Sequence, residues 1–321
     1  GNLTVSGTAV NLATNSGGAT SFGLTTLTGG LTTVSVGDIT QTGAITTGAP
    51  SSISSSTGDI TLTNPGNSFF GTTSLVATLG DLSFAGSVAG SLATTSGGAT
   101  SFGLTTLTGG LTTTSVGDIT QTGAITTGAP SSISSSTGDI TLTNPGNSFF
   151  GTTSLVATLG DLSFAGSVAG SLATTSGGAT SFGLTTLTGG LTTTSVGDIT
   201  QTGAITTGAP SSITSTTGDI ALTNPNNSFF GATSLSGVDV TVVAAGNLNA
   251  LIAATGNAAA TSAGNLTVSG TAVNLATNSG GATSFGLTTL TGGLTTVSVG
   301  DITQTGAITT GAPSSISSST G

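Results

Sequence analysis

Apolar and polar residues alternate along this chain in short phrases such as "GDITLTNP", "GNLTVSG" and "GDLSFAG". Alternation with a period of two marks half-buried β-strands, because successive side chains point to opposite faces of a sheet. Gly, Asn, Pro and Ser interrupt the phrases every few residues, as tight turns require. No stretch carries a helical stripe, and the Thr and Gly content disfavours helix. The pattern predicts short strands joined by turns throughout.

The phrases are ordered at two scales. Ser16 to Thr95 recurs as Ser96 to Thr175 with one change, Val34 to Thr114, and a third copy opens at Ser176. The third copy drifts after Ile213 and holds 23 additional residues before "SGGATSFG" returns at Ser279 (279 − 176 = 103, against 80 for the earlier copies). Gly1 to Gly58 is also identical to Gly264 to Gly321. Repeat units therefore cover 16–95, 96–175 and 176–278, with partial units at 1–15 and 279–321, and the expectation is one continuous solenoid over 1–321, cut from a longer array. Within a unit, "GD" phrases at Gly37, Gly58 and Gly80 follow one another at short, nearly equal steps, and the next, at Gly117, comes after almost two such steps. Four steps of about 20 residues make a unit, which is the period of coils in a parallel β-helix. The 23 extra residues are expected to add roughly one coil, an insertion that a stack tolerates. A β-propeller would need about 40–50 residues per blade.

Aligning the "GD" phrases predicts the ladders. Ile39, Ile60 and Leu82 share an inward rail, followed by Gln41, Leu62 and Phe84; Thr40, Thr61 and Ser83, then Thr42, Thr63 and Ala85, are placed outside. Gln41, Gln121, Gln201 and Gln304 interrupt an apolar rail, so each must bond to backbone at a corner or mark a slip in parity. In "NSFFG", adjacent rings must face opposite ways. Phe69 is assigned to the core, and Phe70, Phe150 and Phe230 project outward as a candidate lateral contact about 19 Å apart along the axis.

Composition narrows the chemistry. The 321 residues include no Lys, Arg, His, Cys, Met, Trp or Tyr, and all ten charges are Asp. General-base, thiol and amine catalysis lose their usual side chains, which argues against an enzyme. A lyase on a β-helix scaffold would need acids beside Arg or Lys in a lateral groove, and is not expected. A net charge of −10 argues against nucleic acid as a partner and against anionic membranes. No apolar run approaches the ~20 residues of a membrane span, so no membrane insertion is expected. No cofactor is implied. The acids do stand in register: Asp38, Asp59 and Asp81, then Asp118, Asp139 and Asp161, then Asp198, Asp219 and Asp239. They fit an Asx role in turns; the sharper alternative is a calcium rail, since stacked carboxylates repel. "ITQT" and "ITLT" also raise an ice-binding alternative, interrupted at Ser83 and Ala85.

The phrases "GNLTVSGTAVNL", "GDITLTNPGNSFFG" and "TSVGDITQTGAITTG" resemble repeats of filamentous-haemagglutinin-like exoproteins and related large bacterial β-strand-repeat adhesins. The Asn-Pro-x-Asn-x-Phe phrase at Asn64 to Gly71 carries the likeness most strongly. The resemblance implies a right-handed parallel β-helix (β-solenoid), secreted to the extracellular space or bacterial cell surface. It implies a fibre or adhesin that builds a rod for adhesion, aggregation or extracellular matrix. Expected partners are copies of itself, end-to-end or side-by-side, and host or neighbouring-cell surface glycans or proteins. About 16 coils would span about 75 Å. The absence of Lys and Arg removes trypsin sites, and absent Cys, Met and Trp remove easy oxidation targets, which suits exposure outside a cell. A passive stalk that presents a separate terminal binding domain is the alternative function.

Overall fold

A computed structural model describes residues 1–321. The protein is all-β, without helices, and every strand pairing in it is parallel. It is a parallel β-solenoid, and it forms two compact units, Gly1–Ala169 and Gly170–Gly321.

In the first unit each coil contributes to two sheets. One is broad: Thr20–Leu27 pairs with Ile39–Gln41 and Ile45–Thr46, and Leu82–Ala89 pairs with Ile60–Leu62 and Ser68–Phe70. The other is narrow, built from five-residue strands such as Leu31–Ser35, Ser51–Ser55, Thr73–Ala77 and Leu92–Ser96. The registered partners Leu3↔Thr20, Thr20↔Ile39, Ile39↔Ile60 and Ile60↔Leu82 mark successive coils, the first of them the shortest and the last the longest. Each coil covers the apolar face of the next, so like side chains stack on like. Ile39, Ile60, Leu82, Ile119 and Ile140 are buried on one rail; Phe22, Leu62, Phe84 and Phe102 are buried on the next. Phe69 and Phe84 meet with centroids 6.1 Å apart and planes inclined by 47°.

The Gln rail does not slip. Gln41 donates from Nε2 to the Gly43 carbonyl at 2.6 Å and to Asn67 Oδ1 at 2.9 Å, and Asn67 Nδ2 returns a bond to Gln41 Oε1 at 2.8 Å. Asn67 lies one coil on and is fully buried; it also donates to the Leu62 and Ala85 carbonyls and accepts from Ile45 N–H. The side-chain amide thus replaces the ladder where the broad strand is interrupted between Gln41 and Ile45, so the buried polar groups there are satisfied. The same lock recurs at Gln121 with Asn147 and at Gln201 with Asn227.

One expected position is corrected. Ala85 does not face outward beside Thr42 and Thr63; it is only 4% exposed. Two residues of the next coil, Gly103 and Leu104, stand opposite Ala85 alone. In Thr100–Leu107 the buried set therefore passes from Phe102 to Thr105 and Leu107, whereas Val88 keeps the inward parity of Leu82 and Phe84 on this side of the β-bulge. Gly86 carries it at φ 136, where a side chain would strain the backbone, and a Cβ there would stand 2.7 Å from the Asn67 carbonyl oxygen.

A second correction concerns the 23 extra residues, which lie wholly in the second unit. Between Ala232–Gly237 and Thr283–Leu290 stand five strands: Val240–Ala244, Leu248–Ala254, Ala258–Ser262, Leu266–Ala272 and Leu275–Ser279. The first unit has two, Leu82–Ala89 and Leu92–Ser96, between the matching strands Thr73–Ala77 and Thr100–Leu107. Five minus two is three strands, or one and a half coils rather than one. The sheets consequently exchange roles. "TSFGLTTL" belongs to one sheet at Thr180–Leu187 and to the opposite sheet at Thr283–Leu290. Val240–Ala244 narrows the formerly broad side to three inward residues, Val240, Val242 and Ala244. Leu248–Ala254 broadens the other to four, Leu248, Ala250, Ile252 and Ala254. The core keeps its filling while the two faces trade places.

Candidate functional site: corner rails, exposed rings and clefts

The corner before each broad strand is built from Ser, Gly and Asp. Ser55 Oγ accepts from Gly58 N–H at 3.0 Å and donates to the Gly37 carbonyl of the preceding coil at 2.9 Å. The carboxylate continues the bonding around the bend. Asp38 Oδ1 accepts the Asp59 amide at 3.0 Å, Asp59 Oδ1 accepts the Asp81 amide at 2.8 Å, and Asp81 Oδ1 accepts the Ala99 amide at 2.7 Å. Asp118 serves Asp139, Asp139 serves Asp161, Asp198 serves Asp219, and Asp219 serves Asp239 in the same way. One oxygen of each of these carboxylates therefore has a structural partner, and the side chain sits at the exposed surface. No group of three or more acidic side chains converges as a metal site would need. Asn2 Oδ1 takes the same role toward the Ala19 amide, so charge is dispensable at this position.

The phenylalanines divide by parity. Phe69, Phe149 and Phe229 are buried, whereas Phe70 and Phe150 are each 57% exposed and Phe230 is 66% exposed. In the first unit, Phe70 pairs in register with Ala89 and Phe150 with Ala169. Inboard of these rings, the broad face is paved with hydroxyls. One outward column runs Thr8, Thr26, Thr46, Ser68, Ser87, Thr106, Thr126, Ser148 and Ser167 without a break. A second contains Ser21, Thr40, Thr61, Ser83, Ser101, Thr120, Thr141 and Ser163. Ser87 joins the first column through its register with Ser68 and Thr106, a continuity that spacing from the "GD" phrase misses. The opposite face is mixed: Val34, Ser54, Val76, Thr95 and Thr114 share one column.

The second unit has two open clefts, one on each flank of the extra coils. One, of about 480 Å³, is lined by Asp239, Asn257, Asn274 and Pro313. Here the Asp corner runs on into a different corner: Asp239 Oδ1 accepts Asn257 N–H, Asn257 Oδ1 accepts from Asn274 Nδ2, and Asn274 Oδ1 accepts Gly293 N–H. The other, of about 440 Å³, holds Phe230, Gly231, Asn247, Asn249, Asn265 and Thr267. Both follow from the half-coil shift, which brings unlike corners into register. Neither cleft is visible in the sequence periodicity.

The profile of the family described as Repeats of unknown function (DUF5649) matches residues 7–76, 78–156 and 158–236. The chain belongs to this family. Its DUF5649 repeats follow one another at about the length of the 80-residue unit, each stretch spanning several coils and one Gln–Asn lock. No curated protein and no solved structure matches the chain.

Proposed function

We propose that these repeats are the structural part of a secreted or cell-surface bacterial fibre or adhesin, without catalysis, working in adhesion, aggregation or extracellular matrix. The observation that carries this reading is the pairing of exposed rings with a hydroxyl-paved face: Phe70 and Phe150 recur four coils apart on the same side of the first unit. A regular hydrated surface with spaced apolar contacts favours association with copies of the same chain side by side. Buried polar residues lock coil to coil and the carboxylates complete corners, so the side chains serve stacking. Likeness to filamentous-haemagglutinin-type repeats in the "NPGNSFFG" phrase supports an extracellular setting.

The test replaces Phe70, Phe150 and Phe230 together with Ser. Sedimentation and electron microscopy should show loss of lateral bundling, with circular dichroism and melting unchanged. Bundling that survives the triple change removes the lateral role, and loss of fold would contradict the outward placement of the rings.

A further inference from the structure

From the cleft at Phe230, we infer a binding site for a neutral saccharide with a flat, all-equatorial ring of the glucose type. In the first unit the exposed ring of Phe70 is flanked by Ala89 of the next coil, because Leu82–Ala89 runs the full width of the broad sheet. In the second unit the corresponding strand, Val240–Ala244, stops short; on that side it pairs only with Ile220–Leu222. The chain then turns at Gly246 and begins Leu248–Ala254 on the other sheet. Phe230 thus loses the counterpart of Ala89, is 66% exposed against 57% for Phe70, and lines the cleft.

The surroundings of that ring are polar and uncharged. Asn247 Oδ1 accepts the Asn265 amide at 2.8 Å and Asn265 Oδ1 accepts the Ala282 amide at 2.9 Å, which leaves both Nδ2 groups to donate outward. Asn249 and Thr267 are registered neighbours on the new broad side, both exposed, and add an amide and a hydroxyl. A side-chain amide both donates and accepts, as does a hydroxyl, and vicinal sugar hydroxyls match such mixed groups. The electron-rich face of Phe230 receives the weakly positive C–H face of a pyranose ring. An all-equatorial sugar presents that face unobstructed. No carboxylate lines the cleft and the chain has no cationic side chain, so acidic sugars gain no partner there. A concave site with one apolar platform and a few convergent polar groups is the usual architecture for small-ligand recognition.

This site supplies a ligand class to the adhesive reading and rests on that reading for its biological setting, yet either can fail without the other. Lateral bundling is read by sedimentation; sugar binding is read by saturation-transfer NMR with cellohexaose. The full chain should transfer saturation to the axial ring protons of cellohexaose, and affinity should fall about tenfold in Phe230→Ala. Asn249→Ala combined with Thr267→Val should weaken binding with the fold intact. Phe70→Ala with Phe150→Ala should leave it unchanged. Absence of transfer in the unaltered chain overturns the assignment. So does equal loss in the Phe70/Phe150 variant, which would mean unspecific contact with any exposed ring. Concentration-dependent self-association that needs Phe230, with no cellohexaose signal, overturns it in favour of a second copy of the chain as occupant.

Discussion

The first unit and the modified coils of the second are made of the same phrases but behave differently. In Gly1–Ala169 the corner keeps its place from coil to coil: Asp38 bonds to Asp59, Asp59 to Asp81 and Asp81 to the Ala99 amide, and the broad side stays broad. Between Ala232 and Ser279 of the second unit the corner changes identity, from Asp239 through Asn257 and Asn274 to Gly293. Strict repetition yields a uniform surface, while one and a half extra coils yield clefts. In a stack of near-identical coils, distinctive chemistry arises where the phase of the repeat changes.

The largest effects should separate tight repetition from the looser modified coils. Gly86→Val forces a side chain into a positive-φ bulge against Asn67 and should cost about 3 kcal/mol in urea unfolding. Gly246→Ala, at a turn where a Cβ meets nothing within 4 Å, should change stability by less than about 0.5 kcal/mol. Equal costs at both positions would break the contrast. Asn67→Ala strands the Gln41 amide, Ile45 N–H and the Leu62 and Ala85 carbonyls, and should cost about 2–3 kcal/mol. Asn227→Ala should cost as much, because the lock to Gln201 precedes the phase change and keeps its four kinds of partner, with Val243 in place of Ala85.

Smaller effects address the corner rail and the core. Asp59→Ala removes the acceptor for the Asp81 amide and should cost about 1 kcal/mol, whereas Asp59→Asn keeps the acceptor and should be neutral or slightly stabilising at low salt. Calcium or EDTA should leave the melting temperature unchanged if the carboxylates act as corner acceptors; a clear calcium-dependent rise would restore the metal rail. Thr73 and Thr153 each bury a hydroxyl that has no hydrogen-bond partner. Thr73→Val with Thr153→Val should therefore raise stability, by about 1 kcal/mol per site.

Much of this architecture was legible in the chain. The inward rail of Ile39, Ile60 and Leu82 and the opposed Phe69 and Phe70 follow from period-two alternation, which a repeated core enforces copy after copy. Gln41 was legible as a problem but not as a solution, because its partner Asn67 stands in the next coil, in a segment that reads as a turn. Ala85 shares the outward parity of Ser83 and Ser87 and is nonetheless covered, at a bulge where Gly103 and Leu104 of the next coil oppose it alone, and nothing in local spacing marks that bulge. The phase change was obscured by length. The insertion is close to one coil in size, yet coils are not equal, the step from Leu3 to Thr20 being shorter than that from Ile60 to Leu82. Counting phrase openings ("VDV", "GNL", "GNA", "GNL", "VNL") would have revealed five strands where the earlier copies have two.

The exchange of faces is tested most directly by cysteine pairing, since the chain has no cysteine to interfere. Ala253 and Thr271 are registered partners on exposed positions of Leu248–Ala254 and Leu266–Ala272. In the double variant Ala253→Cys with Thr271→Cys, mild oxidation should give rapid, nearly complete cross-linking within one chain, because parallel neighbours stand about 4.8 Å apart. A folded protein that fails to cross-link at this pair would contradict the exchange, and with it the origin proposed for both clefts.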